Sequence, residues 1–226
     1  MATQLDLQEQ EQLDAVKAFW KTWGNLITWV LIAALAAYAG WNGWKWYERD
    51  QGQKAGAMFD ELSRAVQAGD AEKAGRIFTD LSSRYPRSAF AEHGGLAAAQ
   101  LQVDKGQADT AKATLTWVAT NGRQDELQAV ARLRLAGLLL DAKQYDEALK
   151  QLAGIKSPEF EALAADRRGD VLSAQGKADE AKAAYQAAWA AMPDTITYKQ
   201  LITAKLTALG AAPAASAASA AAGAKP

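Results

Sequence analysis

Residues 22–44 carry no charged side chain, in a chain where 23% of residues are charged. That run lies between Lys21 and Lys45. As a helix it spans roughly 34 Å, enough to cross a hydrocarbon core of about 30 Å. Its centre, from Leu26 to Ala37, is apolar apart from Thr28. Trp20 and Trp23 flank one end, and Trp41, Trp44 and Trp46 flank the other. Indole rings favour the headgroup level, so these five residues are the expected membrane-interface anchors and the lipid bilayer is the first expected partner. A cleaved signal peptide would need a basic leader and a shorter apolar stretch. Here Asp6, Glu9, Glu11 and Asp14 outweigh Lys17 and Lys21. A buried core helix would rarely need so long an uncharged run. The pattern therefore predicts an uncleaved transmembrane helix over 22–47.

The rest of the chain repeats. The segments Gly69–Ala74, Gly106–Ala111, Lys143–Ala148 and Gly176–Ala181 resemble one another, and their closing alanines are 37, 37 and 33 residues apart. A period near 34 in helix-prone sequence is the signature of tetratricopeptide repeats, each two helices joined by a turn. Gly69, Gly106 and Gly176 suit the left-handed residue that ends a first helix. The alanines mark close helix contact. Apolar residues follow at helical spacing: Ile77, Phe78 and Leu81, then Leu115 and Val118, then Leu149, Leu152 and Ile155, then Tyr185 and Ala188. Pro86 and Pro193 stop two of the second helices, and Gly122 replaces proline in the second unit. A final helix over about 195–209 is expected to cap the stack, with Tyr198, Leu201, Ile202, Leu206 and Leu209 inward. The fold class is all-α: one N-terminal transmembrane helix followed by a tetratricopeptide-repeat-like α-solenoid over 48–210. Residues 211–226 are nearly all Ala, Ser, Gly and Pro, and read as a disordered tail. Residues 1–21 form a leader whose Leu5, Leu13, Val16 and Phe19 either meet the membrane or a partner, or are simply solvated.

Chemistry is sparse. There is no cysteine and one histidine, His93. No nucleophile elbow or phosphate loop is present. No catalytic residue, cofactor site or metal site is assigned, and the chain is read as not an enzyme. Asp166 and Asp170, an i, i+4 pair around Arg167 and Arg168, read as a solvated face rather than a cation site. A net charge of −1 gives no footprint for nucleic acid. Repeat arrays bind segments of other proteins on a concave face. Counting back from the alanines puts His93, Leu96 and Gln100 there in the second unit, Leu133 and Leu140 in the third, and Asp166, Asp170 and Ser173 in the fourth. That mixed apolar and acidic lining points to extended or unfolded segments, basic ones included. Packing within the chain's own helices is the competing role for each of these residues.

The layout has a counterpart. An acidic leader, a tryptophan-flanked helix, the run Trp41-Asn42-Gly43-Trp44-Lys45-Trp46-Tyr47, the segment Tyr85-Pro86-Arg87-Ser88-Ala89-Phe90-Ala91 and a short repeat array together resemble the YfgM family of Gram-negative bacteria. Its members are ancillary subunits of the SecYEG translocon. The resemblance covers residues 3–209. It implies a single-pass protein of the bacterial inner membrane, with residues 1–21 cytoplasmic and the repeat domain periplasmic. It implies the SecYEG translocon, periplasmic chaperones and unfolded or emerging polypeptides as partners. Charge counting leans the other way by one residue: Lys17 and Lys21 before the span, against Lys45, Arg49 and Lys54 after it. Long domains translocate largely regardless of such small differences. The alternative function is a membrane-tethered scaffold for cell-envelope or division complexes.

Overall fold

The computed structural model describes residues 7–193, 195 and 197–211. Those residues contain helices and no strand. The chain divides into two units, Met1–Gln53 and Lys54–Pro226. The helices are α1 (Leu7–Gln67), α2 (Ala71–Arg84), α3 (Ala89–Asp104), α4 (Ala108–Asn121), α5 (Asp125–Asp141), α6 (Tyr145–Ala153), α7 (Glu161–Ala174), α8 (Ala178–Ala191) and α9 (Tyr198–Ala208), with a 3₁₀ turn, Pro158–Phe160, leading into α7. The leader from Leu7, the apolar run and the first helix of the repeats all fall within α1. After Ala211 the tail lies outside the described residues, as does Leu5.

The first unit consists of the α1 residues through Gln53. One stretch of α1 is long and apolar enough to cross a membrane, and only 6% of that window is buried by protein. A core helix of a soluble protein would be mostly buried, so that reading fails here. Three polar side chains of the run answer to their own backbone. Thr22 Oγ1 donates to the Ala18 carbonyl at 3.0 Å, Thr28 Oγ1 to Gly24 at 2.7 Å and Asn42 Nδ2 to Tyr38 at 3.0 Å. In hydrocarbon such internal satisfaction is required, because no water is there to substitute. Trp20 lies over Gly24, where an added Cβ would meet the indole at 3.2 Å. Beyond the run, Lys45 Nζ sits 5.2 Å from the Trp41 ring centre, and the Trp44 and Tyr47 rings pack at 6.3 Å.

In the second unit the helices pack in sequence order, and α3 also touches α5, which touches α7. Four turns share one hydrogen-bond pattern. In each, the left-handed residue donates its N–H to the carbonyl three residues back, and the next residue donates five back: Gly69 to Val66 and Asp70 to Ala65, Gly106 to Val103 and Gln107 to Gln102, Lys143 to Leu140 and Gln144 to Leu139, Gly176 to Ser173 and Lys177 to Leu172. This is the Schellman closure. The alanines that follow, Ala74, Ala111, Ala148 and Ala181, are all fully buried. Lys143 holds φ 57°, the one non-glycine residue with positive φ among those described. A left-handed L-residue costs about 1–2 kcal/mol. Lys143→Gly is therefore expected to raise stability by about 0.5–1 kcal/mol, net of the extra unfolded-state entropy. Thermal unfolding checks this; a lower midpoint would show that Lys143 is stabilised in place by something else.

The second unit's missing proline has a physical account. Glu92, 1% exposed, accepts from the N–H groups of Arg123 (2.9 Å) and Gln124 (3.2 Å), tying α3 to the α4–α5 loop. At Gly122 an added Cβ would lie 2.7 Å from the Val118 carbonyl oxygen. At the other end, α9 buries Ile202 and Leu206 fully, whereas Leu201 is 47% exposed, which corrects its expected inward placement. Ile202 and Leu206 are four residues apart on one stripe, and Leu201 precedes that stripe by one residue, about 100° round the helix.

Candidate functional site

The first helices of successive units, α3, α5 and α7, stand side by side and form one face. A cleft of about 260 Å³ opens on it. Ala99, Gln100 and Val103 of α3 form one wall, and Leu133, Arg134, Gly137, Leu138 and Asp141 of α5 form the other. Leu115 of α4 and Arg167 of α7 complete it. At Gly137 no atom lies within 4 Å of where a Cβ would stand, so the α5 backbone is bare there.

The sequence-predicted residues divide into groups. Gln100 and Leu133 come together in the cleft. Gln100 is exposed, with Nε2 donating to Asp104 Oδ1 at 2.9 Å; Leu133 is half-buried. His93 and Ser173 are exposed but do not line the cleft. Leu96 is buried in the central core with Leu115, Val118 and Leu135, and Leu140 packs against the same cluster. Arg134 and Arg167 were missed. Arg134 Nη1 donates to the Leu96 carbonyl at 3.2 Å, and Arg167 Nη1 meets Asp170 Oδ2 at 3.4 Å. Their signal was present in the sequence: each follows a predicted inner-face residue by one position.

Asp166 and Asp170 need a correction. They are not a solvated face and not an acidic lining. Asp166 is 1% exposed. Lys205 of α9 reaches over to them, with Nζ 2.9 Å from both oxygens of Asp166 and 2.6 Å from Asp170 Oδ1. Tyr198 donates its hydroxyl to Asp166 Oδ2 at 2.7 Å, and Tyr185 donates to Asp170 Oδ1 at 2.9 Å. The pair holds an ammonium group of its own chain and clips α9 to α7. The cleft that remains carries two arginines against Asp141, so its charge does not select basic segments.

Burial, reinforced by the bond to Asp166, pushes the Tyr198 hydroxyl up to about 12 from 10.0. Burial, with the bond to Asp170, raises Tyr185 as well. Between these limits the folded state keeps protons that the unfolded chain gives up, so stability falls as pH rises. The clip's tyrosine contribution is thus complete below pH 10 and lost as pH climbs through about 12. Partial solvent access keeps the effect modest. Tyr198→Phe is expected to flatten the unfolding midpoint against pH over that window; an unchanged slope would remove Tyr198 as a cause.

The model of a tetratricopeptide repeat-like domain family matches residues 17–211. A Neisseria gonorrhoeae protein named ancillary SecYEG translocon subunit is 33% identical over 204 residues, covering 90% of this chain and 98% of its own. An Escherichia coli K12 protein of the same name is 30% identical, covering 79% of this chain and 86% of its own. One from Haemophilus influenzae is 27% identical, covering 80% and 89%. Among solved structures, MamA from Desulfovibrio magneticus RS-1, residues 41 to the end, superposes with a TM-score of 0.52 at 19% identity, over 70% of this chain and 86% of that one. That likeness concerns the fold alone.

Proposed function

Because this chain belongs to the tetratricopeptide repeat-like family of ancillary SecYEG translocon subunits, we propose that it is a non-enzymatic, membrane-anchored accessory of the translocon. The observation that carries this is the 33% identity to a protein of that name across 98% of its length, anchor and repeats together. In this reading residues 1–21 are cytoplasmic, 22–47 cross the inner membrane, and the repeat domain stands in the periplasm. The indoles of Trp20, Trp23, Trp41, Trp44 and Trp46, all more than half exposed, sit at the two interfaces. The cleft around Gln100 and Leu133 receives extended segments of emerging polypeptide, or of the periplasmic chaperones that meet them.

Anchoring makes weak contacts sufficient. A tether to the channel raises effective concentration to about the millimolar range. A small cleft of mixed polarity then suffices, with Leu133 and Leu138 as apolar contacts and Arg134 and Arg167 for backbone carbonyls or carboxylates.

The test is a photo-crosslinking residue placed at Leu133 in intact cells, combined with co-purification. Translocating chains and channel subunits are the expected products. Leu133→Asp should lower client capture several-fold while channel association persists. Replacement of the span by an unrelated transmembrane helix should lower channel association. A reporter that finds the C-terminus in the cytoplasm would overturn the periplasmic placement. Products drawn only from cell-division or envelope-assembly complexes would favour the tethered scaffold.

A further inference from the structure

The charges of the inner cleft follow the repeat register. Arg134 lies fourteen residues before the repeat alanine Ala148, and Arg167 fourteen before Ala181. They are the same position in successive units, on the touching helices α5 and α7, and both line the cleft. Seven residues before Ala111 and Ala148 stand Asp104 and Asp141. Asp141 lines the cleft, and Asp104 accepts from Gln100, which also lines it. Along α5 the seven residues from Arg134 to Asp141 rise about 10 Å. The cleft therefore runs from an arginine row to an aspartate row, with Leu133 and Leu138 also in its lining.

The fold itself leaves these charges largely unmet. Arg134 donates to the Leu96 carbonyl and forms no ion pair among the described residues. Arg167 meets Asp170 at 3.4 Å, but that carboxylate already holds Lys205 at 2.6 Å. Asp141 is exposed, and no described cation stands within ion-pair distance of it. Lys105, next to Asp104, points elsewhere: its Nζ is 3.4 Å from where a Cβ would stand on Gly69. Asp104 and Asp141 are the last residues of α3 and α5. An acid at that end opposes the helix dipole, so the helix gains nothing from it. A cation there is favoured both by the carboxylate and by the helix end. The arginine row favours a carboxylate, which matches the planar guanidinium fork.

An extended ligand that satisfies both rows needs two opposite charges at the same spacing. In the polyproline II conformation, a major conformer of unfolded chains, residues three apart share one side and stand about 9 Å apart. We propose that the inner cleft selects extended polypeptide segments that carry an acidic and a basic residue three positions apart. The acid meets Arg134 and Arg167, the base meets Asp141 and Asp104, and an apolar residue between them packs on Leu133 and Leu138. A segment with one sign of charge meets a like charge at one end, which is how the cleft rejects it. This rests on the reading that the cleft receives extended segments, and adds which ones it takes.

The experiment uses the full chain in lipid nanodiscs, at low ionic strength so that the charges are not screened. The probes are fluorescently labelled, end-blocked hexapeptides in which two charged residues flank leucine and alanine. The flanking pair is glutamate and lysine in either order, two glutamates, two lysines, or a mixed pair with one member replaced by glutamine. One order of the mixed pair is expected to bind saturably, at least fivefold tighter than the like-charged peptides. Arg134→Gln should cut the preference for glutamate over glutamine at least threefold and leave that for lysine unchanged. Asp141→Asn should do the reverse. It should also keep or raise the unfolding temperature, which a structural role would not allow. Lys150→Gln, on α6 outside the cleft, should move neither preference. Equal affinity for all the peptides keeps the cleft as a peptide site and overturns the charge selection. So do preferences unmoved by both cleft variants, preferences moved as much by Lys150→Gln, or a lower unfolding temperature in Asp141→Asn. No saturable binding by any peptide overturns the selection and the cleft's role as a peptide site together.

Discussion

Lys205→Met is expected to lower the stability of the repeat domain by about 3–5 kcal/mol, because it strands a buried charge. Asp166 has a side chain 2% exposed, and Lys205 is its ion-pair partner. Without the ammonium, two carboxylates one helical turn apart would face each other with tyrosine hydroxyls and Arg167 left to them. Methionine keeps the aliphatic stem, so the loss isolates the charge. For a domain of this size the midpoint should fall by roughly 6–20 °C. Adding Asp166→Asn should recover part of it by removing the stranded charge. Circular dichroism melts of the protein in detergent check both. A midpoint within 2 °C of the parent in Lys205→Met would mean that α9 is held by Ile202 and Leu206 alone.

Gly169→Ala is expected to cost about 3 kcal/mol, at the upper end for overpacking. A Cβ there would lie 2.5 Å from Tyr185 Cδ1 and 2.8 Å from Cζ. The ring cannot retreat. It is 4% exposed, its hydroxyl is bonded to Asp170, and Lys205 stands 5.3 Å from its centre. Gly137→Ala is the control, since nothing surrounds that position and alanine favours a helix by about 1 kcal/mol over glycine. The first variant should unfold at a lower denaturant concentration and the second at the same or a higher one. Pairing Gly169→Ala with Tyr185→Leu should relieve the clash, so that the two losses are less than additive. Full additivity would show that the glycine is not where α7 and α8 meet.

The two variants probe different kinds of information. Gly169 is legible from spacing alone, twelve residues before the repeat alanine Ala181, where close packing of α7 on α8 demands a small residue. Lys205 is not. Its partners lie 39 and 35 residues upstream, and nothing local to α9 marks it as the cation for Asp166 and Asp170. The same pair was misread as solvated because its i, i+4 spacing says only that the carboxylates share a helix face. It does not say which helix covers that face.

The cleft was half legible for the same reason. Counting back from the repeat alanines placed Gln100 and Leu133 on it, since a helix face follows from sequence spacing. It also counted Leu96 inward, where the neighbouring unit buries it, and stopped one position short of Arg134 and Arg167. Rotation of one helix against the next decides such positions, and that rotation is set by packing across units.

What the sequence alone determined is local and periodic. A charge-free run of membrane length needs no partner to be recognised. A left-handed glycine followed five residues later by a buried alanine needs only the turn it makes. These features rest on backbone conformation and helical spacing, which neighbouring residues dictate. Tertiary structure decided which polar groups found partners. Lys205 closed over the aspartates, Glu92 capped the α4–α5 loop, and Gln102 was left with a buried amide oxygen that no described residue meets. Those outcomes depend on how units stack, because a side chain's partner is chosen by whichever helix the stacking brings over it.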